Sequence, residues 1–468
     1  GSLNLPGVQH RREVFRYYPF GALGGQVIGF TDADSRGIEG MELEMDSLLK
    51  GTFGKCLVEM DANRCRHSDV KLPYDPPEDG YDVVLTLDAR YQSIVEEELR
   101  TTVKRYGAKG AMAVVMIPQT GEILAMANLP DCDLNHLDRC GKARRKNRVV
   151  TDIFEPGSIF KVVTAAAALQ EGIIRPEDSL YAEDGTFSFA GTILHDWKRF
   201  GWVTFRQAIE QSVNIAVAKV ALKVGPSIFY EYATNFGFGC KTGVQFPGEV
   251  EGILRNPASW SKRSLMTLSL GQEVSVTALQ IACAYAAVAN RGRLMQPQIV
   301  KRVLNRKGEV VEEMEPMRVR TLLRPEIARV LTQFLTGVVD RGTGVKARVD
   351  RITVAGKTGT AQKVDGRGYS RTKFVASFVG FLPAEEPRLV GVVVVDEPRG
   401  VHWGGEVAAP AFGRIMKRLV HLPDSPVEDF LWAQADLLID DGSATIAAVK
   451  EPTPERAAEL LSQRLKSD

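Results

Sequence analysis

Apolar positions in this chain fall into two kinds of block. Runs rich in Val and Ile, bounded by Gly or Pro, stand at Val83–Leu87, Ala111–Ile117, Glu122–Ala127, Lys373–Gly380 and Arg388–Val395, and their length and β-branched content predict strands. The turn Pro118-Gln-Thr-Gly121 between the second and third makes that pair a hairpin. Longer segments carry the 3.6-residue pattern or an alanine-rich apolar sequence: Ala89 to about Tyr106, Val162–Leu169 and Ala278–Ala287, all predicted as helices. Strand blocks therefore lie towards both ends of a helical middle, about residues 158 to 290. This order predicts an α+β fold: an antiparallel sheet assembled from two distant segments, flanked by helices, with a helical lobe inserted.

Outside these blocks the character changes twice. From Leu3 to about Pro77 glycine punctuates short apolar runs, and Lys71–Gly80 carries three prolines, which predicts an extended linker because proline removes a backbone donor and restricts its predecessor. After about His421 the chain is acidic and proline-interrupted, with an amphipathic pattern over Pro454–Leu465. The expected division is 1–78, 79–420 and a tail at 421–468 whose role the sequence does not reveal.

Composition narrows the function. A chain of 468 residues with 44% hydrophobic residues holds enough apolar material for a large core. With 59 basic against 58 acidic residues, nothing points to nucleic acid as a partner, and a small, locally charged ligand fits better. No apolar run is long enough to span a bilayer. The opening Gly1-Ser2 resembles a cloning remnant, so any signal or membrane anchor is expected upstream of Leu3. The six cysteines form no C-x-x-C pair and the six histidines no ligand-spaced cluster, which argues against zinc. Cys56 with Cys65, or Cys132 with Cys140, could bridge in an oxidising compartment, but small buried thiols are the expectation.

Three short motifs carry candidate chemistry: Ser158-Ile-Phe-Lys161, Ser212-Val-Asn214 and Lys357-Thr-Gly-Thr360. Singly they are weak, since Ser-x-x-Lys recurs at Ser47, Ser68, Ser259 and Ser370, Ser-x-Asn at Ser2, and Lys-Thr-Gly at Lys241–Gly243. Together, and in this order, they supply what acyl transfer needs: a nucleophile, a base, oxyanion donors and a group for the substrate's charged end. Pro156-Gly157 before Ser158 places the serine at a helix N-terminus, where free N–H groups favour negative charge. Lys161 lies one turn on, and burial would keep it neutral enough to act as base. The plain alternative is a lysine whose stem packs while its head finds water. Ser212 could relay a proton and Asn214 orient Lys161 or hold a substrate amide, although both residue types also cap helices. A short strand over Ile352–Gly356 should present Lys357, Thr358 and Thr360 to a terminal carboxylate, with Gly359 leaving room for close approach. Lys241–Gly243 is expected to be a structural turn.

Beyond the motifs, Arg16-Tyr-Tyr-Pro19, Gly29-Phe-Thr-Asp32, Gly37–Glu42, Leu85–Asp88, Phe154–Ser158, Gly404-Gly405 and Ala408–Pro410 give the chain a resemblance to the class B penicillin-binding proteins, the monofunctional peptidoglycan D,D-transpeptidases, most of all the septal, cell-division branch, with elongation or sporulation relatives as the alternatives. The resemblance implies a penicillin-binding transpeptidase domain and a shortened N-terminal pedestal. It implies Ser158 as acylated nucleophile, Lys161 as base, Ser212 and Asn214 as relay and orienting amide, and Lys357, Thr358, Gly359 and Thr360 as carboxylate and oxyanion site. No cofactor or metal is implied. The implied ligands are peptidoglycan stem peptides and β-lactam antibiotics. The full-length form would be anchored in the bacterial inner membrane by one N-terminal segment, its catalytic domain outside the cytoplasm, beside a membrane glycan polymerase and division proteins. Competing readings are a D,D-carboxypeptidase or β-lactamase using the same motifs, a β-lactam sensor, and a non-catalytic division scaffold.

Overall fold

The computed structural model describes residues 15–57, 59–60, 66–67, 73–366 and 368–430. The amphipathic pattern at 454–465 and Cys65 lie outside the described residues. The chain divides into two compact units, Gly1–Leu419 and Val420–Asp468.

The first long helix, α1 (Ala89–Tyr106), starts where the Asp88 carboxylate accepts the N–H groups of Arg90 and Tyr91 and stops at Gly107, whose φ of 53° ends the helix. Strands β1 (Gly110–Met116) and β2 (Ile123–Leu129) follow as the expected hairpin. Then come α2 (Lys161–Gln170), α3 (Phe205–Glu210), α4 (Asn214–Val224) and α5 (Ala278–Ala289), the amphipathic α6 (Pro325–Asp340), strands β3 (Ala355–Asp365), β4 (Gly368–Leu382) and β5 (Leu389–Asp396), and α7 (Gly404–Leu419). The five strands pair antiparallel in the order β3-β4-β5-β1-β2. Two segments far apart in sequence thus make one sheet, and the helical middle is inserted between them. Helices α1 and α7 pack on the sheet as well as α5, so the central strands are covered and their apolar runs are continuous rather than alternating.

Two expectations are corrected in the N-terminal part. The strand beginning at Asp82 does not join the main sheet; it pairs with Val300–Leu304 in a separate three-stranded sheet. The proline-rich segment is, from Pro73 on, extended but not free, because Tyr74-Asp75 pairs with Lys55-Cys56 and Glu78 bridges to Thr52. The cysteine reading is also revised. Cys132 and Cys140 form a disulfide, and of the remaining described cysteines only Cys283 is buried while Cys56 and Cys240 are exposed. The bridge closes a loop against which the N-terminal part packs: Tyr18, Phe30 and Leu134 share a small apolar cluster, and Asn135 exchanges two hydrogen bonds with the Tyr18 backbone. The two thiols are eight positions apart, and nothing in that spacing reveals that the loop between them folds back.

Candidate active site

The turn carrying Ser158 is built from backbone contacts that exclude side chains. Gly157 has φ 58°, donates its N–H to Gly271 O at 3.1 Å, and has Thr360 O where a Cβ would come within 2.9 Å. Residues Gly157–Phe160 form a 3-10 turn leading into α2 at Lys161. Ser158 therefore lies one turn ahead of the α-helix rather than inside its first turn, and N–H groups at this end still lack helical partners. Phe160 locks the turn against Phe238 and Phe229, and the Tyr285 hydroxyl donates to Ile159 O at 2.8 Å. The Ser158 side chain is half-buried, and its hydroxyl makes no hydrogen bond to a described residue.

Lys161 is fully buried. Its Nζ lies 2.8 Å from Ser212 O, 2.8 Å from Asn214 Oδ1 and 3.1 Å from Ser212 Oγ. Burial lowers its pKa to about 7, opposed by the negative charge of Asp196. Lys357 is also buried, 3.0 Å from the same Ser212 Oγ and 3.3 Å from Thr358 O. Its pKa falls well below the ordinary lysine value, first through burial and then through the nearby Lys161. Two amines thus converge on one hydroxyl, which has a single proton. A Ser212 hydroxyl that accepts from one ammonium can donate to the lone pair of the other amine, so the arrangement favours one charged and one neutral lysine.

Ser212 itself has φ 57°, a left-handed conformation costly for a side-chain residue. It lies in the short break between α3 and α4, and Asn214 begins α4 rather than capping it. The cap comes from elsewhere. Asp196 accepts the N–H of Asn214 and of Ile215, His195 O accepts from Asn214 Nδ2 at 3.0 Å, and Trp197 Nε1 donates to Gln211 O at 3.0 Å. Burial raises the Asp196 pKa, against the two backbone donors and Lys161. On the other side, buried Glu210 accepts two hydrogen bonds from the Arg341 guanidinium, and Gln211 Nε2 donates to Arg341 O at 3.0 Å. Asp196, Glu210 and Arg341 are the residues that sequence reasoning missed. Their partners are far off in the chain, and no local pattern marks them.

The third motif lies inside a strand, not after one. Ile352 makes only an isolated bridge to Val349, and β3 begins at Ala355 and runs through Lys357–Thr360, paired with Val379, Phe378, Ser377 and Ala376 of β4. Being the sheet's edge, β3 leaves one side without a strand partner, and the Ser158 turn packs against it. Thr358 Oγ1 is 2.7 Å from Thr343 Oγ1, and Thr360 Oγ1 accepts the Gly404 N–H at 2.9 Å, which leaves the Thr360 hydroxyl proton free to donate. The space at Gly359 is taken by the protein itself: a Cβ there would be 2.3 Å from Ser377 Oγ and 2.8 Å from Pro156 O. All eight predicted positions thus come together around the Ser158 turn and the β3 edge. Lys241–Gly243 stays apart, tied by Thr242 and Gly243 to Glu249.

Sequence comparison matches residues 111–417 to the penicillin-binding protein transpeptidase domain and residues 2–85 to the penicillin-binding protein dimerisation domain. The chain belongs to the class B penicillin-binding proteins. It is 36% identical over 421 residues to stage V sporulation protein D of Bacillus subtilis, covering 89% of this chain and 65% of that one. It is 34% identical to the peptidoglycan D,D-transpeptidase FtsI of Escherichia coli, covering 89% of this chain and 68% of that one. Among solved structures it resembles penicillin-binding protein 3 of Mycobacterium tuberculosis, with a TM-score of 0.77 and 33% identity over 87% of this chain and 90% of that one. A second structure of that protein is a complex with aztreonam. The fold expected from the class B resemblance is thereby established. Among the described residues no helix is long and apolar enough to cross a membrane.

Proposed function

We propose that this chain, a serine D,D-transpeptidase of peptidoglycan synthesis by family, works through an acyl-enzyme on Ser158. The observation that carries this reading is the pair of buried lysines sharing the Ser212 hydroxyl beside a serine whose own hydroxyl makes no hydrogen bond to a described residue. Neutral Lys161 takes the Ser158 proton as Oγ attacks the penultimate D-Ala carbonyl of a stem peptide. The C–O bond forms, and the carbonyl oxygen becomes an oxyanion facing the N–H groups of Ser158 and Thr360. The C–N bond then breaks, the proton passes through Ser212 to the leaving nitrogen, and terminal D-Ala departs. An acceptor amine from a neighbouring strand attacks the ester and releases Ser158. Asn214 holds Lys161 in place, and Lys357, Thr358 and Thr360 hold the terminal carboxylate, with Gly359 letting β3 and the Ser158 turn close on each other.

A β-lactam would enter as the donor does and stop at the ester. The matched regions support a pedestal and linker over residues 1–78, the transpeptidase domain over 79–420 and a tail over 421–468. The FtsI likeness supports a septal role. It also supports a full-length form held at the inner membrane by one N-terminal anchor, its catalytic domain outside the cytoplasm, next to a glycan polymerase and division proteins.

Labelling with a fluorescent penicillin, located by mass spectrometry, tests the site. The expected result is a stable adduct on Ser158 that is absent from Ser158→Ala. An adduct elsewhere, or none on a folded protein, would overturn the assignment, and rapid sustained nitrocefin turnover would favour a hydrolase.

A further inference from the structure

A cleft of about 860 Å³ lies along α6, and none of its lining residues belongs to the three motifs. One wall is the face of α6 that carries Ala328, Arg329, Thr332, Gln333 and Thr336; the other is made by the turns after β1 and β4 and the segment following α5. Six arginines line it against two glutamates, and of the six Arg206 and Arg341 are already paired with Glu177 and Glu210 outside the lining, in a protein whose formal net charge is only +1. Arg291, Arg293 and Arg329 are exposed, and their side chains make no hydrogen bond or ion pair with a described residue. Arg388 pairs with Glu386, yet its buried Nε has no partner. Like charges gathered in one concavity repel each other and focus a positive potential, so the cleft is set to attract anions. Guanidinium groups in particular match carboxylates two bonds at a time.

The charge is not uniform. Glu385 lines the same cleft without an ion pair to any described residue, and the Gln333 amide makes no hydrogen bond to a described residue. A polymer of phosphates alone would be repelled by Glu385, whereas a peptide bearing carboxylates and one amine would satisfy both signs and use the amide. Helix α6 has 16 residues, about 24 Å at a rise of about 1.5 Å per residue, and that length accommodates about seven extended residues. We propose that this cleft is a second, non-catalytic binding site for a stem peptide of uncrosslinked peptidoglycan, gripping its carboxylates with Arg291, Arg293 and Arg329 and its amine with Glu385. The proposal rests on the transpeptidase reading for the identity of the peptide. It gives the enzyme a hold on a neighbouring strand separate from the donor in the catalytic cleft.

The test uses protein whose Ser158 has been acylated by penicillin, so that the catalytic cleft is closed, titrated calorimetrically with a soluble disaccharide-pentapeptide. Saturable binding is expected, weakened at least ~10-fold in R291A/R293A/R329A and by added salt, and weakened likewise when the peptide's carboxylates are amidated. The triple variant should retain its melting temperature and its rate of acylation by penicillin. Absence of binding, equal affinity in the triple variant, equal affinity for the amidated peptide, or tighter binding of polyphosphate than of the muropeptide would each overturn the proposal. Failure of penicillin to label Ser158 would instead strike the proposed function, and the titration would then be made on Ser158→Ala.

Discussion

The tripeptide Lys-Thr-Gly occurs twice in this chain, and the two copies have nothing in common but their letters. At 241–243 it lies in a loop: Lys241 is exposed, and Thr242 and Gly243 are tied to the Glu249 carboxylate. At 357–359 it lies in an edge strand, where Lys357 is 1% exposed and touches the hydroxyl of Ser212. A lysine in water is a solvated cation, whereas a lysine buried beside a second amine is a group whose proton is weakly held. The difference teaches that the motif's chemistry comes from strand register and burial, since only the second copy meets Lys161 and Ser212.

The sharpest way to break this comparison is to remove the amines. Lys161→Ala should lower the rate of acylation by penicillin by about 10³-fold, within the usual range for losing a general base, and Lys357→Ala by about 10²-fold. Lys241→Ala should stay within about twofold; stopped-flow acylation kinetics would show whether it does. Next in size is the backbone. Gly359→Ala drives a methyl into Ser377 Oγ and Pro156 O and should destabilise by about 3 kcal/mol, while Gly243→Ala meets only the Gln296 side chain at 3.5 Å and φ strain, costing about 1 kcal/mol. Urea unfolding of the two variants would reverse the picture if their order were exchanged.

The pH dependence is a finer probe. In the proposed role of base Lys161 must be neutral, and its pKa is about 7, so acylation should fall as pH drops through 7, to roughly one tenth of its plateau a unit below. A rate flat from pH 8 to 5.5 would remove Lys161 from the role of base. The smallest effect expected is a displacement of that midpoint. The charge on Asp196 supports the ammonium form of Lys161, so Asp196→Asn, which can still accept the Asn214 N–H, should move the midpoint to lower pH. An unmoved midpoint would confine Asp196 to capping α4.

Much of the sheet could be read in advance because its signals are local. Asp88 and Gly107 bracket α1, and Gly121 turns the β1–β2 hairpin. The start of β3 could not, since Ala-Gly-Lys-Thr-Gly-Thr carries no apolar alternation and is held as a strand by β4. The residues that gather at the candidate site were legible as motifs, and the groups packed behind them were not. Asp196, Glu210 and Arg341 act across long stretches of chain, and a carboxylate in a polar segment looks the same whether or not it meets a helix end. The Cys132–Cys140 bridge was obscure for a related reason, because its geometry depends on how one loop folds back. The class B resemblance supplied what local pattern lacked: the roles, and the pairing of a pedestal with a transpeptidase domain.

The crowding of backbone at Gly157, Gly359 and Gly404 bears on how this site can vary. A side chain at Gly404 would strike Gly359 O and Ser377 O, just as one at Gly157 would strike Thr360 O. Any residue larger than glycine at these three positions must therefore displace backbone, so the shape of this floor cannot be changed there without moving β3 and the turn it meets. Variation is left to the side chains around that floor, such as Glu210 and Arg341, which brace the Ser212 turn without touching the floor itself.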